Sequence, residues 1–236
     1  MTFWQLITTP NLSGSANMQF DIKLFNNCEK EIVPSMLRIY SWRPKCISMG
    51  YSQDMSGLVD RLLAKKMGWE VVKRPTGGGI VFHNEAEVTY SLITPIDSLP
   101  KGLVPSYKKI SEAVVKGLGK IGIRAKIART QNSEHRAQNT GLCFSYPAEY
   151  EIVCQGRKLV GSAQKRGKRA LLQQGSIFVK DTSDDILAIL KKPLKKDFRK
   201  KAVSLEEILG RSVGFCELSQ ALIKGFEEGM GIRFDK

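Results

Sequence analysis

The chain has 236 residues, 42% hydrophobic and 25% charged, with a formal net charge of +14. That is enough for one large domain of ordinary globular composition, which excludes a disordered, collagenous or disulfide-dense chain. No stretch approaches the ~18 apolar residues of a membrane span, and the positive excess calls for a negatively charged partner without naming it.

The N-terminal MTFWQLITTPNLSGS has no basic segment followed by an apolar block, so it makes a poor signal peptide and a cytoplasmic protein is expected. Residues 13–28 are predicted helical: Met18, Ile22 and Phe25 recur at helical spacing behind Ser13 and Ser15 as caps. MLRIYSW (36–42) and CISMGY (46–51) read as short strands split by Pro44. Residues 57–67 follow as a helix with Leu58, Leu62 and Leu63 on one side. EVVKRP, GGIVFH and EVTYSLIT read as three strands, broken by Gly77-Gly78-Gly79 and Asn84-Glu85. Ile110, Val114, Leu118 and Ile121 mark an amphipathic helix over 107–121, and IRAKIA (123–128) a strand. The polar ARTQNSEHRAQNTG (128–141) is a loop with the length of a lid. YEIVCQ, RKLVGSAQKR and ALLQQGSIFV then form a meander turning at Gly156 and Gly167. Helices are expected over 184–191, 204–210 and 215–229, with the basic KKPLKKDFRKK (191–201) after the first. Hairpin-connected strands mixed with helices predict an α+β fold of mixed, mostly antiparallel sheets packed with helices. One domain over 1–236 is expected, with residues 181–236 as its helical C-terminal part.

Five cysteines occur at wide spacing, with no CxxC and only His83 and His135 as histidines. Free thiols and no metal site are therefore expected. Cys143 stands where the polar loop meets a strand, and Lys158 follows the Gly156 turn. An ammonium near Cys143 would lower its pKa and favour a thiolate able to attack a carbonyl; an ordinary core cysteine is the alternative. Cys154, inside an apolar strand, reads as a buried structural thiol. Gly77, Gly78 and Gly79 read either as a hairpin turn or as backbone that a ligand approaches. Arg74 offers a forked donor pair to a carboxylate or phosphate, and Ile80, Val81 and Phe82 can line a slot. No GK[ST] or GxGxxG accompanies the run, so it is neither a P-loop nor a dinucleotide fingerprint. His83 reads as a hydrogen-bonding residue, and no Ser-His-acid triad is evident. Gly161, Ser162 and Ala163 either admit a ligand to the backbone or end a strand. Lys165, Arg166, Lys168 and Arg169 form a solvated turn or a docking patch for an acidic partner.

YSWRPKCISMGYSQ (40–53), KRPTGGGIVFH (73–83), EVTYSL (87–92), GRKLVGSAQKR (156–166) and LLQQGSIFV (171–179) together resemble, in order, the signatures of the lipoate–protein ligase and octanoyltransferase family, related in fold to biotin–protein ligases. The resemblance runs over residues 3–225 and is strongest to the cysteine-dependent octanoyltransferases, whose cysteine precedes a lysine by the 15 positions that separate Cys143 from Lys158. The chain keeps the ligases' glycine triplet and reads QQG, with Gln174, where QHG is usual. The resemblance implies that Cys143 is the acyl-thioester nucleophile and that Lys158 lowers its pKa and holds the acyl carbonyl. It places Arg74, Gly77, Gly78, Gly79, Ile80, Val81, Phe82 and His83 along the acyl slot, with Gly161, Ser162 and Ala163 on the opposite wall. The implied reaction moves octanoyl from octanoyl-acyl carrier protein, through Cys143, to a lysine of a lipoyl domain such as the glycine cleavage H protein, with no cofactor. An ATP-dependent lipoate ligase forming lipoyl-AMP, which would add ATP and Mg, and an octanoyl amidotransferase between lipoyl domains are the alternatives. A chain ending at Lys236 is expected to lack the further C-terminal domain of long ligases. A nucleic-acid module is disfavoured, because no such motif occurs and no aromatics interleave with the basic runs.

Overall fold

The computed structural model describes residues 2–54, 59–128, 150–181, 183–191 and 201–235. Cys143, and the polar loop beyond Ala128, lie outside them. The first element, β1 (Thr2–Leu12), has no counterpart among the sequence expectations. Only Trp4 of its eleven residues is buried, so no alternation announces it. Helix α1 (Gly14–Glu29) starts where expected, and the Ser13 hydroxyl accepts from Ala16 N–H. The Glu70 carboxylate adds a second cap, accepting from Gly14 N at 2.6 Å and Ser15 N at 2.9 Å.

Strands β2 (Met36–Trp42) and β3 (Cys46–Met49) are buried at every position. After α2 (Arg61–Lys66) come β4 (Glu70–Lys73), β5 (Val81–His83) and β6 (Val88–Pro95), then α3 (Leu103–Gly119) and the short β7 (Lys126–Ile127). The expected meander is β8 (Ile152–Cys154), β9 (Arg157–Arg166) and β10 (Ala170–Ile177). Helices α4 (Ser183–Ile189), α5 (Leu205–Leu209) and α6 (Phe215–Met230) follow. The C-terminal part is not wholly helical: β11 (Ile232–Phe234) pairs in parallel with the start of β1.

Eight strands form one sheet in the order β11-β1-β2-β6-β10-β9-β8-β7, and β4-β3-β5 form a smaller one. In the large sheet β1 runs parallel to both its neighbours, and the other pairs are antiparallel. Helices α3 and α6 cover one face, with Ile110, Val114, Leu118, Leu218, Leu222 and Phe226 in the main core. The two cross closely because Gly117 and Gly225 meet; a Cβ on Gly225 would overlap Gly117 backbone. Helix α1 covers the other face through Phe25 and Cys28, against Met36, Ile93 and Leu172. Arg38, buried within β2, is held there by α1: its Nη1 lies 2.7 Å from Asp21 Oδ1, and its Nη2 donates to Asn17 Oδ1. The small sheet has its own core, built from Ile47, Met49, Ile80, Phe82, Ala64 and Ile189.

Candidate active site

A cleft of about 350 Å³ lies between the α1-side face of the large sheet and the small sheet. Met18, Tyr40, Trp42 and Val81 supply apolar wall. Gly161, Ser162 and Ala163 of β9 form the opposite side, next to Gln174, Gly175 and Ser176 of β10. The two motifs singled out in the sequence, KRPTGGGIVFH and GSAQ, thus meet across one cavity.

Strand alternation sorts the first motif. Val81 and His83 line the cleft, whereas Ile80 and Phe82, expected beside them, pack into the small sheet's core. Adjacent side chains on a strand point to opposite faces, so a run IVF cannot present all three to one slot. Arg74 lines the cleft, but its guanidinium is directed to the loop that follows it. Nη1 donates to Ser48 O at 3.0 Å, and Nη2 donates to Gly77 O at 2.6 Å and Gly79 O at 2.7 Å. The arginine expected to grip an anion therefore organises the glycine loop. Gly78 sits at φ +90°, a conformation L side chains rarely adopt, and a Cβ there would come within 3.0 Å of Arg74 Nη2.

The loop is tied to the large sheet by a chain of buried bonds. Thr76 Oγ1 donates to Gln174 Oε1 at 2.8 Å, and Gln174 Nε2 donates to Asp21 Oδ2 at 2.7 Å. Asp21 also accepts from Ser91 and Tyr40. Burial, and then the Asp21 charge, hold the Tyr40 phenol well above its ordinary pKa, so it remains a neutral donor. Gln174, noted in the sequence only for standing where histidine is usual, joins α1, the glycine loop and β10. Asp21 and Thr76 carried no sequence signal beyond their types.

Lys158 is fully buried on β9, and its Nζ lies 2.5 Å from Glu151 Oε1. Among the described residues neither member of this pair lines the cleft. Cys154 is a buried free thiol whose Sγ faces Arg124 O at 3.7 Å, as its strand position suggested. Burial, with Glu70 and Glu87, pushes the Cys46 thiol well above its usual pKa. Burial and then Glu29 push Cys28 up to about 11. Neither ionises near neutral pH.

The family described as lipoyl protein ligase A/B catalytic domain matches residues 13–227. Octanoyltransferase LipM of Kyrpidia tusciae is 36% identical over 247 residues, covering 100% of this chain and 90% of that protein. Octanoyltransferase LipM of Anoxybacillus flavithermus is 32% identical over 246 residues, covering 99% and 88%. The crystal structure of lipoate-protein ligase A bound with ATP superposes with a TM-score of 0.79 at 23% identity, covering 100% of this chain and 88% of that one. This last likeness shows the fold.

Proposed function

Because the chain belongs to the family of lipoyl protein ligase A/B catalytic domains, we propose that it is an octanoyltransferase of lipoate biosynthesis that works through a Cys143 thioester. The observation that carries the reading is similarity to octanoyltransferases over nearly the whole chain, at 32% and 36% identity. The spacing of Cys143 and Lys158 supports it. The donor is octanoyl-acyl carrier protein, and the acceptor is a lysine of a lipoyl domain such as the glycine cleavage H protein. The cleft, with Met18, Tyr40, Trp42 and Val81 on its wall, offers apolar surface to an acyl chain.

Cys143 thiolate attacks the carrier thioester and takes the acyl group, releasing the carrier thiol. The acceptor amine then attacks the enzyme thioester and forms the amide. Two steps suit a thiolate, which is both a good nucleophile and a good leaving group. The resemblance gives Lys158 the role of supporting the Cys143 thiolate and the acyl carbonyl, and its ammonium is held against Glu151. Arg74 acts through the loop it shapes. The transfer as written consumes no nucleotide and uses no metal.

ATP-dependent ligation is the second reading, and the glycine triplet Gly77–Gly79 favours it. Intact-mass measurement after mixing with octanoyl-carrier protein separates the two. The transferase gains one octanoyl group without ATP, hydroxylamine removes it, and Cys143→Ser loses turnover. Product formed only from free acid with ATP, and unchanged in Cys143→Ser, would establish the ligase instead.

A further inference from the structure

Three polar side chains are hydrogen-bonded in sequence, two of them on the cleft wall. His83 Nδ1 lies 2.5 Å from Glu87 Oε1, and His83 Nε2 lies 2.7 Å from Ser48 Oγ. A carboxylate only accepts, so the tautomer assigned from these partners puts the hydrogen on Nδ1; Nε2 then accepts from the Ser48 hydroxyl. The imidazole lies flat on Trp42, with centroids 3.8 Å apart and planes 13° off parallel. Glu87 Oε1 also accepts from Thr89 Oγ1 at 2.9 Å, and Thr89 in turn accepts from Trp42 Nε1 at 2.8 Å. Each ring and carboxylate is thus held from two sides.

The register of the small sheet brings the three together. Antiparallel pairing sets Ser48 opposite Val81 and Cys46 opposite His83, so the Ser48 and His83 side chains meet diagonally on the cavity side. Ser48, His83 and Glu87 are all buried, and Ser48 and His83 line the cleft. The titratable or charged groups around the ring are Glu87, Arg74, whose Nη1 lies 3.3 Å from Ser48 Oγ, and the cross-strand Cys46 thiol. Glu87 Oε2 is buried with no hydrogen-bond partner among the described residues. A buried carboxylate so placed fixes the tautomer and orientation of the imidazole it faces.

We propose that Glu87, His83 and Ser48 form a proton relay whose open end, Ser48 Oγ, serves the acyl transfer in this cleft. The assignment rests on the acyl-transfer reading above. As the acceptor amine attacks the thioester carbonyl, the C–N bond forms and the C–S bond breaks. The proton leaving nitrogen passes to Ser48 Oγ while the serine's own proton passes to His83 Nε2. The imidazolium, opposite Glu87, then returns its proton to Ser48 Oγ as the serine passes its own to the departing thiolate, which regenerates the thiol.

The test is single-turnover transfer from preformed octanoyl-enzyme to a lipoyl domain between pH 6 and 9, with acylation by octanoyl-carrier protein measured alongside. Positioned proton transfer contributes about 10²–10⁴-fold, so Ser48→Ala should slow transfer about 100-fold relative to acylation, and Ser48→Thr should recover part of it. His83→Gln should likewise slow transfer relative to acylation. Glu87→Gln, which keeps the side-chain volume, should slow transfer too, and it carries the test if Ser48→Ala does not fold. Transfer at the wild-type rate in Ser48→Ala or Glu87→Gln overturns the relay, and so does an equal loss of both steps, which marks a structural role. A wild type that forms no octanoyl-enzyme at all overturns the acyl-transfer reading itself, and the relay with it.

Discussion

Lys158 and Glu151 show how one ion pair couples stability to chemistry. The ammonium is wholly enclosed, 2.5 Å from its carboxylate. Removing one partner of a buried pair strands the other and costs about 3–5 kcal/mol, whereas an apolar replacement of both is often neutral. Lys158→Met should therefore unfold at lower urea and lose acyl transfer, and adding Glu151→Leu should restore the urea midpoint but not the transfer. A double variant that is stable and transfers at the wild-type rate would remove Lys158 from the chemistry. Cys28 gives a pH prediction. Its folded pKa is raised from 9.0 to about 11, chiefly by burial. The stabilisation it reflects is complete below pH 9 and is lost as pH rises toward 11. Cys28→Ala should lose less stability than wild type across that interval; parallel Tm curves from pH 8 to 11 would contradict the assignment.

Two local elements position the cleft, and each has its own test. Glu70, on β4, accepts from the first two backbone N–H groups of α1 and so ties the small sheet to the helix on the large one. A lost N-terminal cap costs about 0.5–2 kcal/mol. Glu70→Ala should reach the upper part of that range in urea unfolding, with Glu70→Gln intermediate, and an unchanged midpoint in Glu70→Ala would rule the cap out. In the glycine loop, Gly78 and Gly77 should differ. Gly78→Val forces a β-branched side chain to φ +90° and toward Arg74, so acyl transfer should fall steeply in a folded protein. A Cβ on Gly77 meets nothing within 4 Å, so Gly77→Ala should stay close to wild type in stability. Equal activity in the two variants would mean that the loop's shape does not matter.

The net charge of +14 is used unevenly over the molecule. Glu29 at the end of α1 accepts from the backbone N–H groups of Lys168, Arg169 and Ala170. Arg169 pairs with Glu31, and Arg166 donates to Ser106. The basic turn is thus partly a clamp between α1 and the β9–β10 hairpin. Lys165 differs: its ammonium lies 5.4 Å from the Tyr51 ring centroid, as does that of Lys73. Both are near cleft-lining residues, Ala163 and Arg74. Exposed charges act mainly through steering and are screened by salt. Lys73→Gln with Lys165→Gln should raise the apparent KM for octanoyl-carrier protein several-fold at low salt and flatten its salt dependence. Lys168→Gln with Arg169→Gln should have the smaller effect. A larger effect from the second pair would return docking to the turn.

By itself the sequence determined the family, through ordered motifs such as KRPTGGGIVFH and GRKLVGSAQKR, and the helices and strands whose burial repeats with their own period. Ile110, Val114 and Leu118 announced α3 because one helix face enters the core. It also marked Cys154 as a core thiol, since a thiol within an apolar strand has nowhere else to go. Only the tertiary structure decided that β1 joins β11 to β2, because pairing residues some 230 positions apart leaves no local pattern. Only it separated Val81 and His83 from Ile80 and Phe82, turned Arg74 onto its own loop, and paired Lys158 with Glu151. It also brought Ser48, His83 and Glu87 into line where no triad could be read along the chain. Periodicity records which side of an element is buried. The partner that satisfies a buried polar group is chosen by strand register and sheet packing, which exist only once the chain has folded.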